Sequence, residues 1–441
     1  MKPPAGKRLA WAPWRALLSR SGNHIAAWAD QAVVSATSFL ALIMLGRGAD
    51  PDQLGAFATG ASVLAVLLAT QESLVTRPYA IQLHRLPGAP AEHAFSSLVL
   101  SVLLSAAAMS VLGVAAVLLS AFGAHGELAA MTWALTATIP FVLTREFVRR
   151  FAFAHLAMVN ALVVDGSVAV LNLALLGWLA WTAQLSAVSA LAAVGFSCAV
   201  GSLGWLYLAR AEFAFRLGQL RATLHASWGL GKWLLSGQLA LQVQGYVAYW
   251  LTMVIAGATV TGIYAACMSI VSFANPLLFG FFNILTPKSV RALRTEGGAG
   301  LRRQAAWDSL LLAGLMSLFC LFIVIAGDNV MSLLYPAADY RGNGQILTVL
   351  AFAALAGAIG VPASIALASA ERAGAVAAVM TATAALNVAL VWGLMTAWGL
   401  LGAAYGVLIA EVAGSLGRWI AFLLLVPRHD AAPSSDSPCK P

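Results

Sequence analysis

The chain has 441 residues, 61% of them hydrophobic and 10% charged, with a formal net charge of +8 at pH 7. A soluble domain carries about 25% charged residues and cannot hide this much apolar surface, so the composition describes a polytopic membrane protein. The positive balance then belongs to loops held back in the cytoplasm during insertion, and nucleic acid is excluded as a partner.

Residues 1–23 carry Lys2, Lys7, Arg8, Arg15 and Arg20 beside Trp11 and Trp14, and Pro13 limits any helix there. The apolar run that follows is long, holds Asp30 and lacks a small-residue cleavage site. The segment therefore reads as a basic stretch lying on the cytoplasmic membrane surface and not as a cleavable signal. No soluble sugar-binding or catalytic domain is expected at either end.

Apolar runs between turn residues predict twelve spans: 24–46, 53–75, 95–120, 128–148, 157–181, 186–209, 229–256, 260–286, 306–326, 344–369, 374–397 and 402–426. The links at 257–259 and 398–401 are the shortest. With both termini inside, the cytoplasmic segments hold 21 of the 25 Lys and Arg when Arg145 is counted with 149–156. The external loops hold only Arg47 and Arg341, which supports the twelve-span alternation. Residues 427–441 read as a disordered cytoplasmic tail. Cys198, Cys267, Cys320 and Cys439 have no metal-ligand spacing, and small buried side chains are expected of the three in spans.

An internal repeat organises the chain. The stretch 257–294 opens on small residues, crosses twenty apolar positions and ends in Pro287 with Lys288, Arg291 and Arg294; residues 54–78 echo it. Leu171-Asn172 lines up with Leu386-Asn387 at an offset of 215, Gly201-Ser202-Leu203-Gly204 with Gly414-Ser415-Leu416-Gly417 at 213, and Gly55 with Gly262 at 207. Two halves of six spans each, 24–209 and 229–426, joined by a cytoplasmic linker 210–228, follow from these offsets. An even number of spans per half makes the repeat parallel, as in alternating-access carriers whose substrate sits between the halves.

The motifs then become familiar. Leu45-Gly46-Arg47-Gly48 followed by Gly55-Ala56-Phe57-Ala58 resembles the start of the Wzx-type polysaccharide flippases. Gly262-Ile263-Tyr264-Ala265 with the exit Leu285-Thr286-Pro287 is similar to that family's mid-chain pattern. Asn387 leading to Trp398-Gly399-Leu400-Leu401-Gly402-Ala403-Ala404 is similar to its penultimate hairpin. The resemblance covers about residues 24–426 and places the chain in the multidrug/oligosaccharidyl-lipid/polysaccharide (MOP) exporter superfamily. It implies an all-α, MATE-like, V-shaped protein of the bacterial inner membrane. It further implies transfer of an undecaprenyl-diphosphate-linked oligosaccharide from the cytoplasmic to the periplasmic leaflet, without cofactor or metal. The implied partners are that glycolipid, membrane lipids, and the polysaccharide polymerase and other assembly proteins.

Ionisable groups inside spans cost about 2.5–3.5 kcal/mol on insertion scales, so each is a candidate for function. Asp30 heads a polar face with Gln31, Ser35 and Ser38, and either relays a proton, meets sugar hydroxyls or pairs near the interface. Gln238, Gln242, Gly245 and Tyr249 form a stripe suited to sugars, with helix–helix hydrogen bonding as the competing reading. Asp165 follows, then Glu411 and Arg418, which lie seven apart on one helix face and form either a structural pair or a phosphate contact. Arg77, Arg145 and Lys288 stand where spans meet the cytoplasm; they suit phosphate recognition, against a purely topogenic role. Arg145, with Glu146 and Arg149, stands out because it follows Pro140 and sits within the apparent helix, and Glu72 is a possible counter-ion for Arg77. Pro140, Pro276 and Pro362 are hinge candidates.

No HExxH, Gly-rich phosphate loop or Cys/His metal spacing occurs, so no enzyme is expected. A cation-coupled multidrug exporter of the same superfamily is the alternative and predicts a predominantly acidic cavity. A membrane glycan polymerase or ligase would need a larger external loop than 327–343.

Overall fold

The computed structural model describes residues 20–83, 90–121, 126–215, 218 and 220–426. Most of the basic N-terminal segment, Cys439 and the predicted tail 427–441 lie outside the described residues. Among the described residues there is no strand. In a bilayer the backbone must satisfy its own hydrogen bonds, and apolar runs of this length do so only as helices.

Eleven helices follow in order: α1 Arg20–Gly48, α2 Pro51–Gln71, α3 Arg77–Gln82, α4 Pro90–Ala121, α5 Gly126–Ala154, α6 Met158–Trp181, α7 Ala187–Leu208, α8 Leu220–Val271, α9 Asn275–Leu334, α10 Gly344–Ser369 and α11 Ala373–Leu425. A π-helical turn, Glu72–Thr76, joins α2 to α3. Ten helical stretches are long and apolar enough to cross a membrane, where the spacing predicts twelve. The difference falls at the two shortest links. Gly257 (φ 86°) breaks α8, and Trp398 with Gly399 (φ 60°) breaks α11, yet helix resumes at once on either side. The loop expected at 287–305 is helical as well. α9 continues through Pro287 and breaks only at Gly297 (φ 65°), because one proline removes a single donor and the Ala-, Leu- and Arg-rich sequence propagates helix past it. The expected linker is likewise half helix, since α8 begins at Leu220.

The repeat is written in the backbone too. Leu156 (φ 54°) ends α5 and Glu371 (φ 59°) ends α10, at the same offset of 215 that aligns the two Leu-Asn pairs. Both ends close with the same bond, Ala157 N–H to Ala152 C=O and Arg372 N–H to Leu367 C=O, each 2.9 Å or less. A non-glycine residue takes the left-handed position in each.

The chain divides into two compact units, Met1–Ala49 with Gly60–Gln238 and Asp50–Thr59 with Leu239–Pro441. In the first, α5 packs between α4 and α7, and α1 lies on α6. Val75, Tyr79, Ala94, Leu100, Phe147, Phe151 and Phe213 form an apolar cluster there. In the second, α10 packs between α9 and α11, with Leu301, Ala363, Leu367 and Phe422 fully buried. Arg302 closes the far end of α11 by donating to the carbonyls of Leu423 (2.6 Å) and Val426. The short segment 50–59 enters this unit through glycine. A Cβ at Gly55 would overlap the Ala258 carbonyl oxygen, and one at Gly262 the Pro51 carbonyl oxygen. Gly55 and Gly262, like Pro51 and Ala258, are 207 residues apart, so repeat-related residues meet reciprocally, as at an isologous contact.

Candidate functional site

The first unit encloses a network of eight charged side chains. α5 supplies Arg145, Glu146, Arg149 and Arg150, two adjacent pairs one helical turn apart and therefore on one side of the helix. α1 supplies Asp30, α6 supplies Asp165, the π-helical turn supplies Glu72 and α3 supplies Arg77. Four carboxylates face four guanidiniums, so the network is electrically balanced.

Its centre is Arg149. The guanidinium donates to Asp30 Oδ2 from Nε (3.0 Å) and Nη2 (2.9 Å), and Nη2 also donates to Gln31 Oε1 (3.2 Å). The same Nε lies 3.0 Å from Asp165 Oδ2. Arg145 Nε donates to Asp165 Oδ1 at 2.8 Å. One guanidinium thus draws together two carboxylates from different helices, both inaccessible to solvent. Glu146 then links outward, 2.7 Å from Arg150 Nε, and Arg150 Nη2 reaches Glu72 at 3.2 Å. Glu72 holds Arg77 Nε at 2.9 Å, where the arginine side chain is 45% exposed. Exposure rises from Arg149 through Arg150 to Arg77, so the network runs from a dry core to an accessible edge. The Phe153 ring covers the Arg149 guanidinium at 5.2 Å.

A buried charge is tolerated only when paired and hydrogen-bonded. Asp30 Oδ1 nevertheless has no hydrogen-bond donor among the described residues, and Asp165 Oδ2 has the ion-pair contact with Arg149 but no hydrogen bond. That leaves acceptor capacity for a proton or a water between them. The guanidiniums are the groups that an incoming anion would compete for. Proton uptake and anion exchange are the chemistry this arrangement allows.

The second unit holds a smaller cluster. Gln244 Nε2 donates to Glu411 Oε1 at 2.6 Å, and Glu411 Oε2 lies 3.6 Å from Arg418 Nη2. Arg418 also donates to Ser415 Oγ (3.0 Å) and to the Gly414 carbonyl (3.2 Å). Asn387 Nδ2 donates to the Gln244 carbonyl at 2.9 Å. Room for the pair comes from α10, where a Cβ at Gly360 would press on the Arg418 guanidinium and one at Gly357 would stand 3.0 Å from Glu411. Gln244 Oε1 and Asn387 Oδ1 have no donor among the described residues, and Asn172, the repeat partner of Asn387, has the same unfilled oxygen in the first unit.

Of the residues singled out in the sequence, Asp30, Gln31, Arg77, Arg145 and Asp165 come together in one network. Glu411 and Arg418 pair in the other unit. The stripe Gln238, Gln242 and Tyr249 does not form one site. Gln238 belongs to the first unit and Gln242 to the second, both half-buried, while the Tyr249 ring packs edge-on against Tyr264 at 4.9 Å. Gln244, two residues along, is the amide that engages a charge, because its face of α8 meets α11. Lys288 is exposed on α9. Pro140 and Pro362 sit in unbroken helices, whereas Pro276 follows a 3₁₀ turn, Ser272–Ala274, that separates α8 from α9. Arg150, Gln244 and Asn387 went unrecognised as site residues; the run Arg145-Glu146-x-x-Arg149-Arg150 inside one span was the signal for the first.

No protein-family model matches the sequence, nor does any curated protein. Solved structures do match over nearly the whole chain. An inward-facing multidrug resistance MATE family transporter of the MOP superfamily matches with a TM-score of 0.75 and 15% identity, over 90% of this chain and 98% of that one. A MOP superfamily transporter from Pyrococcus furiosus gives 0.63 at 15% identity, over 91% and 94%. A point mutant of the Vibrio cholerae MATE transporter VcmN gives 0.61 at 16% identity, over 91% and 94%. The chain is a multi-pass membrane protein with a MATE-like transporter fold.

Proposed function

We propose that this protein moves an undecaprenyl-diphosphate-linked oligosaccharide from the cytoplasmic to the periplasmic leaflet of the bacterial inner membrane by alternating access, with both termini in the cytoplasm. The observation that carries the reading is the balance of charge in the first unit. A cation-coupled drug exporter predicts a predominantly acidic interior, and here four arginines match four acids. Guanidinium groups recognise diphosphate oxygens in bidentate fashion. Arg77 and Arg150, at the accessible edge, would meet the diphosphate first, while Arg145 and Arg149 hold Asp30 and Asp165. The P. furiosus MOP transporter, whose reversed pocket polarity is said to suggest a different function, offers a parallel for polarity separating activities within one fold.

The test is leaflet-specific labelling of lipid-linked glycan in a strain lacking the protein. Glycan trapped on the cytoplasmic face, released by wild type and not by Arg77→Gln with Arg150→Gln, is the expected result. Glycan export that is normal without the protein, together with lost efflux of cationic drugs, would move the assignment to the exporter. Glycan that reaches the periplasm unpolymerised would point to an assembly enzyme.

A further inference from the structure

The first unit contains a second polar feature, which the charge network does not use. Gln71 Oε1, Thr76 Oγ1 and Tyr79 Oη, at the end of α2, in the π-helical turn and on α3, have no protein hydrogen-bond partner among the described residues. His93 Nε2, Ser96 Oγ and Ser97 Oγ, at the start of α4, have none either. All six residues are 5% exposed or less. The two segments face each other, with the Tyr79 and His93 rings stacked at 5.2 Å. Folded proteins leave few buried polar atoms unpaired, and those that remain are served by internal water. Among the described residues no other group supplies a partner for these six atoms.

These groups are ordered in space. His93, Ser97 and Ser101 recur every fourth residue on one face of α4, about 6 Å apart along the axis at 1.5 Å per residue. Two hydrogen bonds of about 3 Å span that interval, so one water fits each step. Ser101 Oγ accepts from Gln71 Nε2 at 2.6 Å, and the same nitrogen donates to the Leu143 carbonyl of α5 at 2.8 Å. The next residue, Glu72, is a member of the charge network, 3.2 Å from Arg150. At the other end His93 Nδ1 lies 3.1 Å from Thr223 Oγ1 of α8. The titratable neighbours there are Tyr79, His155, whose ring lies 6.1 Å from that of Tyr79, and Glu212, which acts on Tyr79 electrostatically.

We propose that this row is a water-filled track conducting protons between His93 and Glu72, and so setting the charge of the network. A proton that enters at His93 Nε2 hops along waters and hydroxyls, each oxygen accepting one proton and passing on another. Past Ser101, whose partner Gln71 Nε2 is an amide and does not relay protons, a water held by the unpartnered Gln71 Oε1 passes the proton to the Glu72 carboxylate, which then loosens its hold on Arg77 and Arg150. The proposal rests on the reading of that network as working machinery.

Hydroxyl-radical footprinting of the purified protein tests the water. Tyr79 and His93 should be labelled at rates within about threefold of exposed Tyr207, through bound water, while buried Tyr264 reacts about tenfold more slowly. Tyr79 and His93 as inert as Tyr264 would overturn the track. Proteoliposomes holding a trapped pH dye then test conduction after an acid jump. Ser97→Val and His93→Ala should slow internal acidification about fivefold or more at unchanged melting temperature, with Ser97→Thr and the exposed Ser110→Val at the wild-type rate. Unaltered proton entry in Ser97→Val, or none in wild type, would overturn conduction. If His93→Ala does not fold, the comparison of Ser97→Val with Ser97→Thr decides. Neither assay contains glycan, so failure here leaves the flippase reading standing, and failure of the labelling experiment leaves the track standing.

Discussion

The two units place arginine in opposite ways around equivalent central helices. In the first, Arg145 stands nine residues before the end of α5 and reaches out from the centre to Asp165 on a neighbouring helix. Nine residues before the end of α10 stands Gly360, and there an arginine reaches inward instead, Arg418 from α11. The outward arrangement lets one helix serve acids on several neighbours, giving eight charges that hold one another. The inward one fills a glycine notch with a single guanidinium beside one acid, and leaves the side-chain amide oxygens of Gln244 and Asn387 without donors among the described residues. Parallel repeats can therefore keep their backbone, down to matched left-handed residues at Leu156 and Glu371, and a shared buried asparagine at Asn172 and Asn387, while the charged side chains diverge.

The sharpest way to break this comparison is to remove its central residue. Arg149→Met strands Asp30 and Asp165 with one guanidinium between them, and an unpaired buried charge costs about 3–5 kcal/mol. The variant should lose most of its folded yield in detergent, measured by size-exclusion chromatography. Adding Asp30→Asn should recover part of the loss, since the two groups act as one unit. An equal loss in the double variant would mean that Arg149 is held by packing and not by charge.

A smaller effect is expected at the notch of the second unit. Gly360→Ala pushes a methyl group against Arg418 and Ser415 and should cost about 1–3 kcal/mol, read as a lowered melting temperature. Arg418→Met in the same chain should remove most of that cost, because a flexible thioether adapts to the narrowed space. The smallest effect on stability belongs to Arg77→Gln. An exposed pair contributes about 0–1 kcal/mol, so melting should barely move, and any transport defect in this variant reports on function alone.

Much of this was legible before the structure. Composition and span length imply a helical membrane protein, and the Leu-Asn offset of 215 recurs in the matched left-handed residues Leu156 and Glu371. Asp30, Arg145 and Asp165 stood out because charge inside a span is costly, Arg77 because it stands where a span meets the cytoplasm, and Glu72 was rightly paired with Arg77. The stripe Gln238, Gln242, Tyr249 failed for a physical reason. Periodicity identifies a helix face but not the neighbour that face meets, and Gln244 on an adjacent face is the residue that meets Glu411.

By itself, then, the sequence determined what depends on solvent and chain alone: helices where the apolar runs cannot stay hydrated, turns at Gly257 and Gly399, and a list of charges too costly to be incidental. Tertiary structure alone decided which charges neutralise which. Asp30 and Arg149 are 119 residues apart, and Gln244 and Glu411 are 167 apart. No local rule couples such distances; only the packing of α1 and α6 beside α5, and of α11 against α10 and α8, brings those groups within hydrogen-bonding range.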